Sequence, residues 1–127
     1  MRLLLDTAAL IWWANDDTRL TVAARGAIRD ADQIFVSAIT AMELTTKFRI
    51  GKLPEAYLLV AEFEKRCADE GFELLPLLPA HALLAGSIQA EPRDPFDRMI
   101  AAQAIIEKLD LVSNDTAFDA LGARRLW

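Results

Sequence analysis

Short apolar runs alternate along this chain with longer stretches of helical spacing. Leu3-Leu4-Leu5 is a continuous apolar run, as expected of a strand buried on both faces. Gln33–Ser37 and Asp110–Ser113 read as further short strands. Phe72–Leu77 is a weaker one whose Pro76 suggests an edge position, and Arg124–Trp127 is a possible last strand. Between them the spacing predicts a helix over Ala8–Ala14, stopped by Asn15-Asp16-Asp17, and another over Leu20–Ile28, apolar at Leu20, Ala24, Ala27 and Ile28. A third enters near Ser37 and runs to about Ile50, where Gly51 ends it. Pro54 opens a longer helix to about Asp69, with Tyr57, Leu58, Ala61 and Cys67 among its inward candidates. Pro79 opens one through Ile88, Pro95 one to about Lys108, and Thr116–Leu121 is a last short helix closed by Gly122. Trp12 and Trp13 cannot both face one core from a helix, so one is expected to meet a neighbouring helix or a partner.

Strands alternating with helices predict an α/β fold, a three-layer domain whose mostly parallel central sheet carries helices on both faces. With 127 residues, 54% hydrophobic, the chain suits one compact domain and leaves no room for a second. Cys67 is the only cysteine, which excludes an intramolecular disulfide and a cysteine metal cluster. His81 is the only histidine; nothing at helical spacing completes a metal site around it, and a surface or first-turn position is expected. No apolar run approaches the ~20 residues that span a bilayer, and the start of the chain is too short for a signal sequence, so a cytoplasmic protein is expected.

Charge narrows the chemistry. The formal net charge is −5 and the pI near 4.8, whereas a protein that holds nucleic acid by charge alone is basic. Either nucleic acid is not the partner or the acids are concentrated for a purpose. In Arg93-Asp94-Pro95-Phe96-Asp97-Arg98, two carboxylates flank a proline at the start of an apolar helix. Asp94 suits the N-cap, and Asp97, at the third helical position, complements the helix dipole. Asp6 follows the first strand and Asp115 the late one, and each has its own reading as a cap or turn residue. Glu43 closes a capping box if Thr40 is the cap. If Ser37 is the cap, Glu43 lies in the second turn, free to face a site. Lys47, Arg49, Lys52, Lys65 and Arg66 are scattered as on solvated helix faces.

Right-handed crossovers bring the C-terminal ends of parallel strands to one edge, where Asp6, Glu43, Asp97 and Asp115 could meet. Two carboxylates ~5 Å apart repel by roughly 3 kcal/mol at an effective dielectric near 20. Protons or a cation must therefore neutralise such a cluster. Oxygen-only donors favour a hard cation, Mg²⁺ or Mn²⁺, and a carboxylate-held ion of this kind commonly works on phosphates.

Four blocks occur in order: Leu3-Leu4-Leu5-Asp6-Thr7; Val36-Ser37-Ala38-Ile39-Thr40-Ala41-Met42-Glu43; Arg93 to Ala104; and Leu111-Val112-Ser113-Asn114-Asp115. In this the chain resembles PIN-domain proteins, specifically the VapC toxin ribonucleases of toxin–antitoxin pairs. The resemblance spans the chain and implies a single PIN domain over residues 1–127. It implies a Mg²⁺- or Mn²⁺-dependent endoribonuclease with Asp6, Glu43, Asp97 and Asp115 as the catalytic and metal-holding quartet. Thr7 and Ser113 would orient carboxylates or waters and Arg98 would contact substrate RNA, while Asp94 is a fifth, supporting acid whose role the resemblance leaves open and whose position favours capping. A homodimer and a cognate VapB-type antitoxin are also implied, with promoter DNA bound only through the antitoxin. Three positions depart from the family pattern: Ala8 stands where many such toxins have His, Asn114 where Arg or Lys is common, and Ser113 where Thr is usual.

Rival readings fit less well. A two-component receiver domain needs paired acids after the first strand and a lysine after the last, but Asp6 stands alone and Lys108 precedes the late strand. An aspartyl-nucleophile phosphatase needs a second Asp at position 8, which is Ala. A non-catalytic PIN interaction module would be supported by loss of a quartet acid, and all four are present.

Overall fold

A computed structural model describes residues 1–127. Five parallel strands, β1 (Arg2–Leu5), β2 (Gln33–Ser37), β3 (Glu73–Leu75), β4 (Asp110–Val112) and β5 (Arg125–Leu126), form one sheet in the order β3-β2-β1-β4-β5. The predicted edge position of the Pro76 strand is realised, and the possible last strand pairs in the sheet beside β4. Along β1 the side chains alternate between two cores. Leu3 and Leu5 join Ala9, Ile28, Leu44 and Cys67 on one face, and Leu4 joins Leu75, Ile100, Leu111 and Phe118 on the other. All three leucines are fully buried, which is why the run has no polar alternation.

Helices cover both faces: α1 (Thr7–Ala14), α2 (Val22–Asp30), α3 (Ala38–Arg49), α4 (Tyr57–Ala61), α5 (Phe63–Asp69), α6 (Pro79–Ser87), α7 (Pro95–Glu107) and α8 (Ala117–Ala120). Most begin and end as their punctuation predicts. Asp6 Oδ1 accepts the N–H of Ala9, Asp94 Oδ1 that of Phe96, and Ser37 Oγ that of Ile39. Gly51 and Gly122 take the left-handed conformations that end helical turns, with φ of +81° and +91°. The Ser37 cap decides between the two starts open for α3. Glu43 therefore sits in the second turn and does not close a capping box.

Four expectations are corrected. The helix expected from Pro54 to Asp69 is a 3₁₀ turn (Pro54–Ala56) followed by α4 and α5, with a break at Glu62 (φ −136°, ψ 45°). Its inward residues are Ala56, Leu59 and Cys67, while Tyr57, Leu58 and Ala61 are exposed. Leu59 and Cys67, on either side of the break, both reach the same core. His81 is in the first turn of α6 but fully buried rather than on the surface. Its Nδ1 accepts the N–H of Leu78 at 3.0 Å, so Nε2 carries the hydrogen and donates to Glu107 Oε2 at 3.1 Å, tying α6 to α7. The tryptophans do not split: both pack against the same core, Trp12 beside Trp127 (5.7 Å between ring centroids) and Trp13 beside Phe72 (6.3 Å). No helix is long and apolar enough to cross a membrane.

Candidate active site

The sheet order places β1 at the switch point: the chain builds outward to β2 and β3 on one side, then returns to add β4 and β5 on the other. Ligands in open parallel sheets bind at such a point, beyond the C-terminal strand ends. Asp6 lies one residue past the pairs Leu5–Val36 and Leu5–Val112. Its N–H still donates to Val112 O at 3.1 Å, which fixes its backbone before its side chain caps α1. Ser113 is anchored in the same way, its N–H donating to Leu126 O at 3.2 Å.

A pocket of about 270 Å³ opens at this point, with Asp6, Glu43, Asp97 and Asp115 on its walls and Ile11, Ile100 and Phe118 among its apolar lining. Thr7, Asp94 and Asn114 also line it. The fold thus gathers residues separated by more than a hundred positions of sequence. Asp97 is delivered by the Asp94 cap and Pro95 at the first turn of α7. Asp115 keeps its turn role, with Oδ1 accepting the N–H of Ala117 at 2.9 Å, while its own N–H donates to Ser113 Oγ at 3.0 Å. Capping and site-lining are combined in these acids.

The electrostatics bear the mark of crowded anions. Burial pushes Asp6 up to about 6; the charges of Glu43 and Asp115 add to this, and the Ser113 hydroxyl and Ala9 N–H oppose it. Burial also pushes Asp97 up to about 7, followed by the charges of Asp94, Glu43, Asp115 and Asp6. Glu43, 5% exposed, is held at both oxygens: Oε1 accepts the Thr7 hydroxyl, and Oε2 lies 2.5 Å from Lys47 Nζ. Burial works to discharge Lys47, but its hydrogen bond to Glu43 and the charges of Glu43, Asp94 and Asp97 outweigh that and hold its proton more firmly than usual. No three acidic, His or Cys side chains are drawn together into a ready-made cage. A hard cation fits this donor set nonetheless, because Mg²⁺ keeps several waters and needs only one or two carboxylates beside a substrate phosphate.

Two residues take roles that the sequence does not suggest. Lys47, expected on a solvated face, belongs to the pocket; its i+4 spacing from Glu43 is the signal that could have found it. Arg98, expected at the substrate, is instead engaged with backbone. Its guanidinium donates to the carbonyls of Ala85 (2.9 Å), Ile88, Ala90 (3.4 Å) and Pro92 (2.8 Å), fastening the corner between α6 and α7. A third link was also missed. Ser37 Oγ donates to Oε1 of fully buried Gln103 at 2.5 Å, and Gln103 Nε2 donates to Pro76 O at 3.2 Å. This chain ties the start of α3, which carries Glu43, to α7, which carries Asp97.

Comparison with known proteins agrees with the geometry. The family model for the PIN domain matches residues 3–123. Ribonuclease VapC22 of Mycobacterium tuberculosis is 31% identical over 113 residues, covering 88% of this chain and 85% of that protein. Among solved structures, the DNA-bound VapBC of Salmonella typhimurium superposes with a TM-score of 0.72 at 26% identity, covering 99% of this chain and 97% of the other. VapBC2 of Rickettsia felis, bound to a fragment of promoter DNA, gives 0.67 at 16% identity over 99% and 98%.

Proposed function

Because this chain belongs to the PIN-domain family, we propose that it is a VapC-type toxin ribonuclease that hydrolyses RNA phosphodiester bonds with a carboxylate-held Mg²⁺ or Mn²⁺ ion. The observation that carries the reading is the convergence of Asp6, Glu43, Asp97 and Asp115 on one pocket at the sheet's switch point. The raised acids Asp6 and Asp97 support it further, since such a pocket is under-neutralised at neutral pH without a cation. Asp6, Asp97 and Asp115 would hold the ion directly or through water, with Glu43 completing the quartet. When bound, the ion would lower the pKa of a water and stabilise charge on the phosphate. The chain's own groups would do the positioning. Asp97 faces the pocket from a capped helix end; Ser113 steadies Asp6; Thr7 steadies Glu43. Asp94 remains chiefly the cap that sets where Asp97 lies.

As a VapC-type toxin it would act as a homodimer paired with a VapB-type antitoxin, and it would meet promoter DNA only through that antitoxin. The antitoxin complexes among its structural neighbours support this. The test is RNA cleavage by protein freed of antitoxin. Cleavage is expected with Mg²⁺ or Mn²⁺, loss with chelator, and a drop of at least ~10²-fold in folded Asp6→Asn and Asp97→Asn. Undiminished cleavage by both variants would overturn the mechanism.

A further inference from the structure

The pocket carries a cation of its own. Lys47 is the one basic side chain among the residues that line it, and its ammonium sits 2.5 Å from Glu43 Oε2. The opposite oxygen of Glu43 is taken by the Thr7 hydroxyl. A helical i,i+4 pair shares one face of α3, which keeps the lysine within reach of this carboxylate. The helix itself is fixed by the Ser37 cap and by the Ser37–Gln103 bond. Phosphodiester hydrolysis is carried out elsewhere by sites with either one divalent ion or two held ~3.5–4 Å apart. A divalent ion on Glu43 Oε2 would stand next to the ammonium in a half-buried site, where repulsion between like charges is poorly screened. Asp6, Asp97 and Asp115 line the same pocket without an ion pair of this kind.

We propose that Lys47 is a positioning residue whose ammonium occupies the place beside Glu43 that a second divalent ion would otherwise take, so that the pocket loads a single ion on its Asp6–Asp97–Asp115 side. The inference rests on the metal-dependent reading above. It assigns Glu43 a different job from the other three acids: held at both oxygens by Lys47 and Thr7, it shapes the pocket and accepts hydrogen bonds from water or substrate.

Counting Mn²⁺ ions by calorimetry and electron paramagnetic resonance on the full chain, freed of antitoxin, tests this without reference to activity. Wild type is expected to bind one ion. Lys47→Met and Lys47→Gln are expected to bind two, and Lys47→Arg is expected to return to one. Lys47→Gln can still donate to Glu43, so it separates charge from hydrogen bonding and preserves the packing should Lys47→Met fail to fold. Two ions in wild type, or one ion bound equally well by the neutral variants, overturns the proposal. Wild type that binds no ion and cuts no RNA removes the metal-dependent reading and this inference together. Wild type that binds one ion and cuts RNA, with neutral variants unchanged, removes this inference alone.

Discussion

Asp97 lies three residues beyond the carboxylate that caps its helix, and what separates the two is surroundings rather than position. Asp94 is exposed and spends an oxygen on Phe96 N–H; Asp97 is half-buried among four other acids. Asp97 at about 7 and Asp6 at about 6, against the usual 3.8, mean that the native protein binds protons the unfolded chain releases between about pH 4 and pH 7. Stability contributed by these two groups is therefore full below that window and is lost as pH rises through it. Asp17, held down to about 2 by Arg19, acts with the opposite sign but below that window. In chelator, thermal melts should fall by a few degrees from pH 5 to pH 8, and Asp97→Asn should flatten the decline. A melting temperature that climbs over this range would refute the picture. Asp6, Asp97 and Asp115 were legible because each stands at a strand end or helix start, whereas Glu43 was so only once Ser37 was fixed as the cap of α3. Lys47 was not, because its i+4 spacing names Glu43 as a partner but not the pocket that face of α3 lines. His81 escaped because its two partners, a backbone N–H and Glu107, lie on either side of a helix contact that no local spacing encodes.

Helix boundaries followed local chemistry closely: Ser37, Asp94 and Gly51 mark where α3 and α7 begin and where α3 ends. The break at Glu62 has no such mark, neither Gly nor Pro, and Leu59 and Cys67 on either side of it share one core. The α6–α7 corner shows the same division at higher stakes. Arg98 satisfies four carbonyls from Ala85 to Pro92 that no turn motif serves, and the segment it fastens leads straight into Asp94 and Asp97. Lysine has no planar fork with which to span these acceptors. Arg98→Lys is expected to cost about 1–3 kcal/mol in urea unfolding, in line with the loss of charge-assisted hydrogen bonds to partly buried carbonyls. A loss below ~0.5 kcal/mol would show that the corner holds without the clamp.

At the scale of the whole molecule, the parallel order β3-β2-β1-β4-β5 makes the site a meeting of distant segments, from Asp6 to Asp115. The alternation of strands and helices disclosed that order's class, but not which strands adjoin, since pairing is settled by both cores at once. The site's position costs the fold stability: like charges crowd a pocket whose single built-in cation is already committed to Glu43. Removing one of those charges should relieve the apo protein while abolishing its response to metal, a trade between stability and activity. Asp97→Asn is expected to melt above wild type in chelator. With Mg²⁺ at a hundred times its dissociation constant, wild type should gain about 2.7 kcal/mol, a rise on the order of 10 °C for a chain of this size. The variant should scarcely move, so the two melting curves exchange order when the ion is added. Parallel shifts in both proteins would mean that Asp97 only complements its helix dipole, and the ion, if bound, would have to rest on Asp6 and Asp115 without it.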